Sequence, residues 1–161
     1  MDKNFKPPKI TETVVTVSSA RFIGGEGWKI LSMALPGGGS GIAFFPAGSN
    51  PRRGVNDSIV PDLIATNKLL DVLIFESKPR PNLADAKKLR ILLGADYSRS
   101  IKSTLGFAPR RIFLGVGFGC ASGKDLNIVD EMKLIVDFGI EVSSGGLISI
   151  CWDQHNLFSG V

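Results

Sequence analysis

Three side chains have the types and spacing that phosphodiester hydrolysis asks for. Asp62 follows Pro61, thirteen residues intervene, and then comes Glu76-Ser77-Lys78. Two converging carboxylates suit a hard cation such as Mg²⁺, which takes oxygen ligands and keeps several waters. Such an ion polarises a phosphoryl oxygen and lowers the pKa of a bound water. Asp62 and Glu76 are the expected side-chain ligands, the Ser77 backbone carbonyl is a third, and Mn²⁺ is an expected substitute for Mg²⁺. Lys78 is expected to orient or deprotonate the attacking water and to offset charge on the phosphate. The same residues also fit an ion pair on an ordinary sheet, so the surrounding elements have to decide.

Asp62–Thr66 and Val72–Lys78 are β-prone runs joined by Asn67–Asp71, a hairpin turn. Side chains alternate along a strand, so Val72, Ile74, Glu76 and Lys78 share one face and Leu73, Phe75 and Ser77 the other. Both faces are apolar as far as Phe75, which predicts a strand buried on both sides. A carboxylate and an ammonium at its end are costly to desolvate unless they serve an ion or each other. Asp71 has the opposite parity to Glu76 and is assigned to the turn.

Beyond the Pro79–Pro81 breaker, Asn82 is placed to cap a helix carrying Ala86, Leu89, Leu92 and Leu93 inward and closing at Gly94. Tyr97, Ile101 and Leu105 share one face of a second short helix. Arg111–Gly117 reads as a buried strand. Asp125–Asp137 reads as a helix ended by Gly139, and Ile140–Val142 and Leu147–Trp152 as further strands. Upstream, Thr11–Val17 and Trp28–Leu35 read as strands on either side of a Gly24–Gly27 turn. The expected fold is α/β, a central mixed β-sheet flanked by helices. It forms a single domain over residues 10–161 behind a disordered lead-in of residues 1–9.

At Pro61-Asp62 and Glu76-Ser77-Lys78 the chain resembles the PD-(D/E)xK nuclease superfamily, whose fold is called restriction-endonuclease-like. The resemblance covers roughly residues 55–119. The helix after Asn82 and the strand Arg111–Gly117 fall where that α-β-β-β-α-β core has them. It implies metal binding by Asp62 and Glu76, assistance to the water by Lys78, and a Mg²⁺-dependent DNA endonuclease of restriction type or its catalytic domain. A junction resolvase or a transposon-end nuclease shares the same three residues. The family core begins with a helix that often adds an acid. Residues 10–50 read here as strand-rich, with Glu12 and Glu26 the candidates for that acid.

Charge is unevenly spread. Of the 161 residues with net charge +4, residues 78–111 hold nine basic side chains against two acidic ones, a net of +7. That block fits a footprint for a polyanion, or else ordinary solvated helix faces. With double-stranded DNA as the partner, Arg52, Arg53, Arg80, Lys87, Lys88 and Arg90 are the expected phosphate contacts. A double-strand cut needs two active sites, which implies a homodimer or an attached recognition module. The alternative is a non-catalytic nucleic-acid-binding or assembly module.

Other chemistries fit poorly. In Gly115–Lys124 the Gly-Lys pair is Gly123-Lys124, Phe118 stands where a phosphate loop needs glycine, and Asp125 where it needs Ser or Thr. His155 is the sole histidine and has no zinc-ligand spacing around it. Cys120 and Cys151 are too few for a disulfide framework and read as buried small hydrophobes of a reduced, cytoplasmic chain. Gly, Pro or a charge interrupts every apolar run before eighteen residues, so no membrane span is expected, and Met1–Lys9 does not read as a secretory signal.

Overall fold

The computed structural model describes residues 9–38, 41–48 and 58–158. The expected lead-in therefore lies almost wholly outside the described residues, as do Arg52 and Arg53. Ten elements follow one another: α1 (Glu12–Gly25), β1 (Lys29–Met33), β2 (Leu63–Thr66), β3 (Val72–Lys78), α2 (Leu83–Ile91), α3 (Ala95–Leu105), β4 (Ile112–Gly119), α4 (Asp125–Met132), β5 (Phe138–Val142) and β6 (Ile148–Asp153). The six strands form one mixed sheet in sequence order. β1, β2 and β3 are antiparallel neighbours, β3, β4 and β5 run parallel, and β6 returns antiparallel to β5. The α/β class and the mixed sheet are as expected.

β3 is apolar on both faces because it is covered on both. Val72 and Ile74 join Leu114, Val116 and Phe118 of β4 under Ala86, Leu89, Tyr97, Ile101, Val129 and Met132 of α2, α3 and α4. Leu73 and Phe75 join Phe113, Phe138 and Ile140 under Val15 and Ile23 of α1. The result is three layers, with one helix on one side of the sheet and three on the other. Each fully buried aliphatic or aromatic side chain contributes on the order of 2 kcal/mol, so these two clusters hold the strand against the cost of its polar end.

The β2–β3 hairpin and the Asn82 cap fall where the sequence puts them, but α2 ends at Ile91 rather than at Gly94, and Leu93, expected inward, is exposed. Asn82 Oδ1 accepts from the Ala84 and Asp85 amides and so satisfies two unpaired donors of the first turn. Tyr97 and Ile101 are buried on the inner face of α3.

Three expectations are corrected. Thr11–Val17 is not a strand but the start of α1. Thr11 Oγ1 caps it by accepting from the Val14 amide, and Val15, Thr16, Ser19 and Ile23 turn inward at helical spacing. β-branched residues favour strands only weakly, and here packing against the sheet decides. Gly139 does not end a helix. α4 stops at Met132, and Gly139 lies in β5, where the Trp152 ring fills the space of a side chain. Cys120 and Cys151 are exposed, not buried.

The glycine run of β4 has a packing cause. A Cβ on Gly115 would strike the Phe138 ring, and one on Gly117 would strike the Phe75 ring and sit 3.0 Å from Val15 Cγ1. The missing side chains let α1 and the aromatic layer approach the sheet. Among the described residues, no helix is long and apolar enough to cross a membrane.

Candidate metal and phosphodiester site

The β2–β3 register pairs Leu63 with Phe75. One step further along an antiparallel pair places Asp62 opposite Glu76, where Cβ atoms stand about 5 Å apart. The sheet geometry therefore brings the two carboxylates together at the C-terminal end of β3. Asp62 Oδ2 accepts from the Ser77 amide at 2.7 Å, which fixes the carboxylate across the strand end. Glu76 is only 3% exposed. Burial first, and then the Asp62 charge beside it, push its carboxyl up to about 8, with Lys88 pulling the other way.

Lys78 ends the same strand. Its Nζ lies 3.5 Å from Glu12 Oε2 and 4.0 Å from Asp85 Oδ2. Burial works against its charge, but Asp85, Glu12 and Asp62 outweigh it and hold the ammonium above the ordinary lysine range. In this state Lys78 is a cation that donates hydrogen bonds.

Two residues come to the site that the motif did not include. Glu12, only a candidate in the sequence, arrives at the first turn of α1. Asp85 arrives from the first turn of α2, with an Oδ2 that is buried and makes no hydrogen bond. Helical spacing from Asn82 was the signal available for Asp85. For Glu12 the strand reading of Thr11–Val17 hid it.

The expected DNA-binding residues divide. Lys87 and Arg90 are exposed on α2. Arg80 projects into solvent yet returns a guanidinium to Asp125 Oδ2 at 3.0 Å. Lys88 turns inward, with its Nζ 3.0 Å from Glu76 Oε1 and 3.8 Å from Asp85 Oδ1. Arg110 and Arg111 belong to the far end of the sheet. There Arg110 holds Asp71 with two bonds of 2.8 and 2.7 Å, and Arg111 stands 3.7 Å away. Asn67 Nδ2 donates to the same carboxylate at 3.1 Å, so Asp71 closes the turn assigned to it. Of the +7 block, Lys87, Arg90, Arg99 and Lys102 remain exposed on α2 and α3.

An open cleft of about 930 Å³ starts at Lys78 and runs past Arg80 and Asn82 to Cys120 and Asp125. It lies beyond the carboxyl ends of β3 and β4, where open α/β sheets bind ligands. Lys88 borders a separate groove of about 390 Å³ with Ser58, Ile59, Ile91, Tyr97 and one acid, Asp96.

Among the described residues no group of three or more His, Cys, Asp or Glu side chains could hold a metal by itself. An ion between Asp62 and Glu76 would take two carboxylates, the Ser77 carbonyl and water, the sparse oxygen set that Mg²⁺ accepts. Glu76 Oε1 is buried and makes no hydrogen bond, and the Lys88 ammonium 3.0 Å away marks that oxygen as a place where a cation already sits. On that observation the residues fit. No family model, no curated protein and no solved structure matches this chain.

Proposed function

We propose that the chain is a Mg²⁺-dependent DNA endonuclease with a restriction-endonuclease-like core. The observation that carries the reading is the meeting of Asp62 and Glu76 at the end of β3 with Lys78 beside them. The element order α1-β1-β2-β3-α2-α3-β4 supports it, because it supplies the leading helix that the strand-rich reading of residues 10–50 lacked. α1 also delivers an acid, Glu12, to the lysine.

In this reading Asp62, Glu76 and the Ser77 carbonyl hold the ion, with Mn²⁺ able to replace it. When bound, Mg²⁺ supplies Lewis acidity toward the phosphoryl oxygen and a more acidic water. Lys78, held by Glu12 and Asp85, orients the attacking water and stabilises charge growing on the phosphate. Lys87 and Arg90 add salt-dependent attraction to the duplex backbone. Arg80 joins them by exchanging Asp125 for a phosphate. Double-strand cleavage then calls for a homodimer or a separate recognition module.

The test is cleavage of supercoiled plasmid with Mg²⁺ and with EDTA by the parent protein, Asp62→Ala and Lys78→Ala. Metal-dependent nicking or linearisation, lost in both variants, supports the assignment. Equal cleavage by all three proteins overturns it. A preference for branched over linear duplex in the same assay points to a resolvase within the same chemistry. That no group of three or more His, Cys, Asp or Glu among the described residues could hold a metal by itself favours one second reading, a non-catalytic nucleic-acid-binding module, which predicts salt-sensitive binding indifferent to Mg²⁺ and no cleavage.

A further inference from the structure

Two ammonium groups link the acids at the end of β3: Lys78 stands between Glu12 and Asp85, and Lys88 between Asp85 and Glu76, which has Asp62 beside it. The two lysines are not equivalent. Lys78 is fixed at a strand end between two acids from different helices, Glu12 and Asp85. Lys88 reaches in from the middle of α2, its side chain is 40% exposed, and it borders the groove beside Ile59, Ile91 and Tyr97. Its Nζ stands 3.0 Å from the Glu76 oxygen that an ion would also claim. An ammonium and a divalent cation cannot share that oxygen at such range, because even at an effective dielectric of about 20 like charges a few ångströms apart repel by several times the thermal energy.

We propose that Lys88 is a displaceable counter-ion: it occupies the cation's place at Glu76 in the metal-free protein and swings into the adjoining groove when a divalent ion binds, where it meets a substrate phosphate. The inference rests on the metal site proposed above and adds a coupling to it. The stem of Lys88 is long and flexible, and its ammonium also stands 3.8 Å from Asp85 Oδ1, so Glu76 is not its sole acidic partner. Cation and DNA then promote each other's binding, since each removes the charge that the other would otherwise confront.

The experiment measures Mn²⁺ affinity from the electron paramagnetic resonance signal of the free ion, without nucleic acid. The proteins compared are the parent protein, Lys88→Gln, Lys88→Arg and Lys87→Gln, each checked for native circular dichroism. Lys88→Gln is expected to bind Mn²⁺ about tenfold more tightly, because no ammonium has to be expelled. Lys88→Arg should stay near the parent value, and the exposed Lys87→Gln should change it less than about twofold. In Ca²⁺, Lys88→Gln should lose most of the gain in duplex affinity that Ca²⁺ gives the parent protein. Equal Mn²⁺ affinity in the parent protein and Lys88→Gln overturns the displacement alone and leaves the metal site standing. Failure of every variant to bind Mn²⁺ overturns the metal site as well.

Discussion

Glu12 Oε2 lies 3.5 Å from Lys78 Nζ, across a separation of 66 residues that joins the first turn of α1 to the last residue of β3. The pair is partly exposed, so it adds little to stability, on the order of 0.5 kcal/mol. Its value lies in direction. With Asp85 on the other side, it sets where the ammonium points and keeps it charged.

Glu12→Gln should therefore separate positioning from folding. Its melting temperature is expected within about 2 °C of the parent protein, while plasmid cleavage falls roughly tenfold. A cleavage rate equal to the parent's would remove Glu12 from the site.

Glu76 should make stability fall as pH rises. Its folded-state pKa of about 8 lies above the ordinary 4.5, so the folded chain holds a proton that the unfolded chain has released. Stability from this group is complete below about pH 4.5 and is lost as pH climbs through 8. Glu76→Gln is expected to melt on the order of 5 °C higher than the metal-free parent protein at pH 9 and nearly level with it at pH 4, while losing cleavage altogether. Thermal melts across that pH range check the sign.

The same proton couples to the ion. A carboxylate must be ionised to coordinate, so Mn²⁺ should bind more tightly as pH rises toward 8 and should release up to one proton per ion below that. Calorimetry in two buffers of different ionisation enthalpy counts the proton. A pH-independent affinity between 6 and 9 would place the ion elsewhere.

Asp71 should act in the opposite sense and at the opposite end of β3. The bidentate Arg110 contact outweighs burial and, with Asn67, lowers its carboxyl to about 2 from 3.8. Its contribution is present above about pH 4 and disappears as pH falls through 2. Asp71→Asn is expected to lose roughly 1–3 kcal/mol at pH 7, with melting curves that converge on the parent's near pH 2. Cleavage should be spared, because seven residues of strand put about 20 Å between this turn and the site.

The hairpin and its carboxylates were legible because strand parity is strict. One residue of slip would have turned Glu76 to the α1 side of the sheet. Asn82 and the inward row of α2 were equally plain, as a cap and a helical period leave local marks. α1 was not legible. Thr11, Val14, Val15, Thr16 and Val17 are individually strand-prone, and their helix is chosen by burial against Phe75 and Gly117, partners some sixty and a hundred residues away. The inward contact of Lys88 was hidden for a related reason. Charge counting marks a lysine on a helix as a phosphate contact, and only the packed sheet shows that its nearest acid is Glu76. The exposure of Cys120 and Cys151 likewise follows from where β4 ends and how β6 lies, which composition does not carry.

The bare backbone at Gly117 has a consequence for kinetics. Val15 touches that spot from the same helix that bears Glu12 three residues earlier. A methyl group introduced at 117 would lift the beginning of α1 off the strand and draw its acid away from the lysine. Damage of this kind in the hydrophobic interior, at the β4 residue paired with Ser77, would then register as a slower turnover in a protein that still folds.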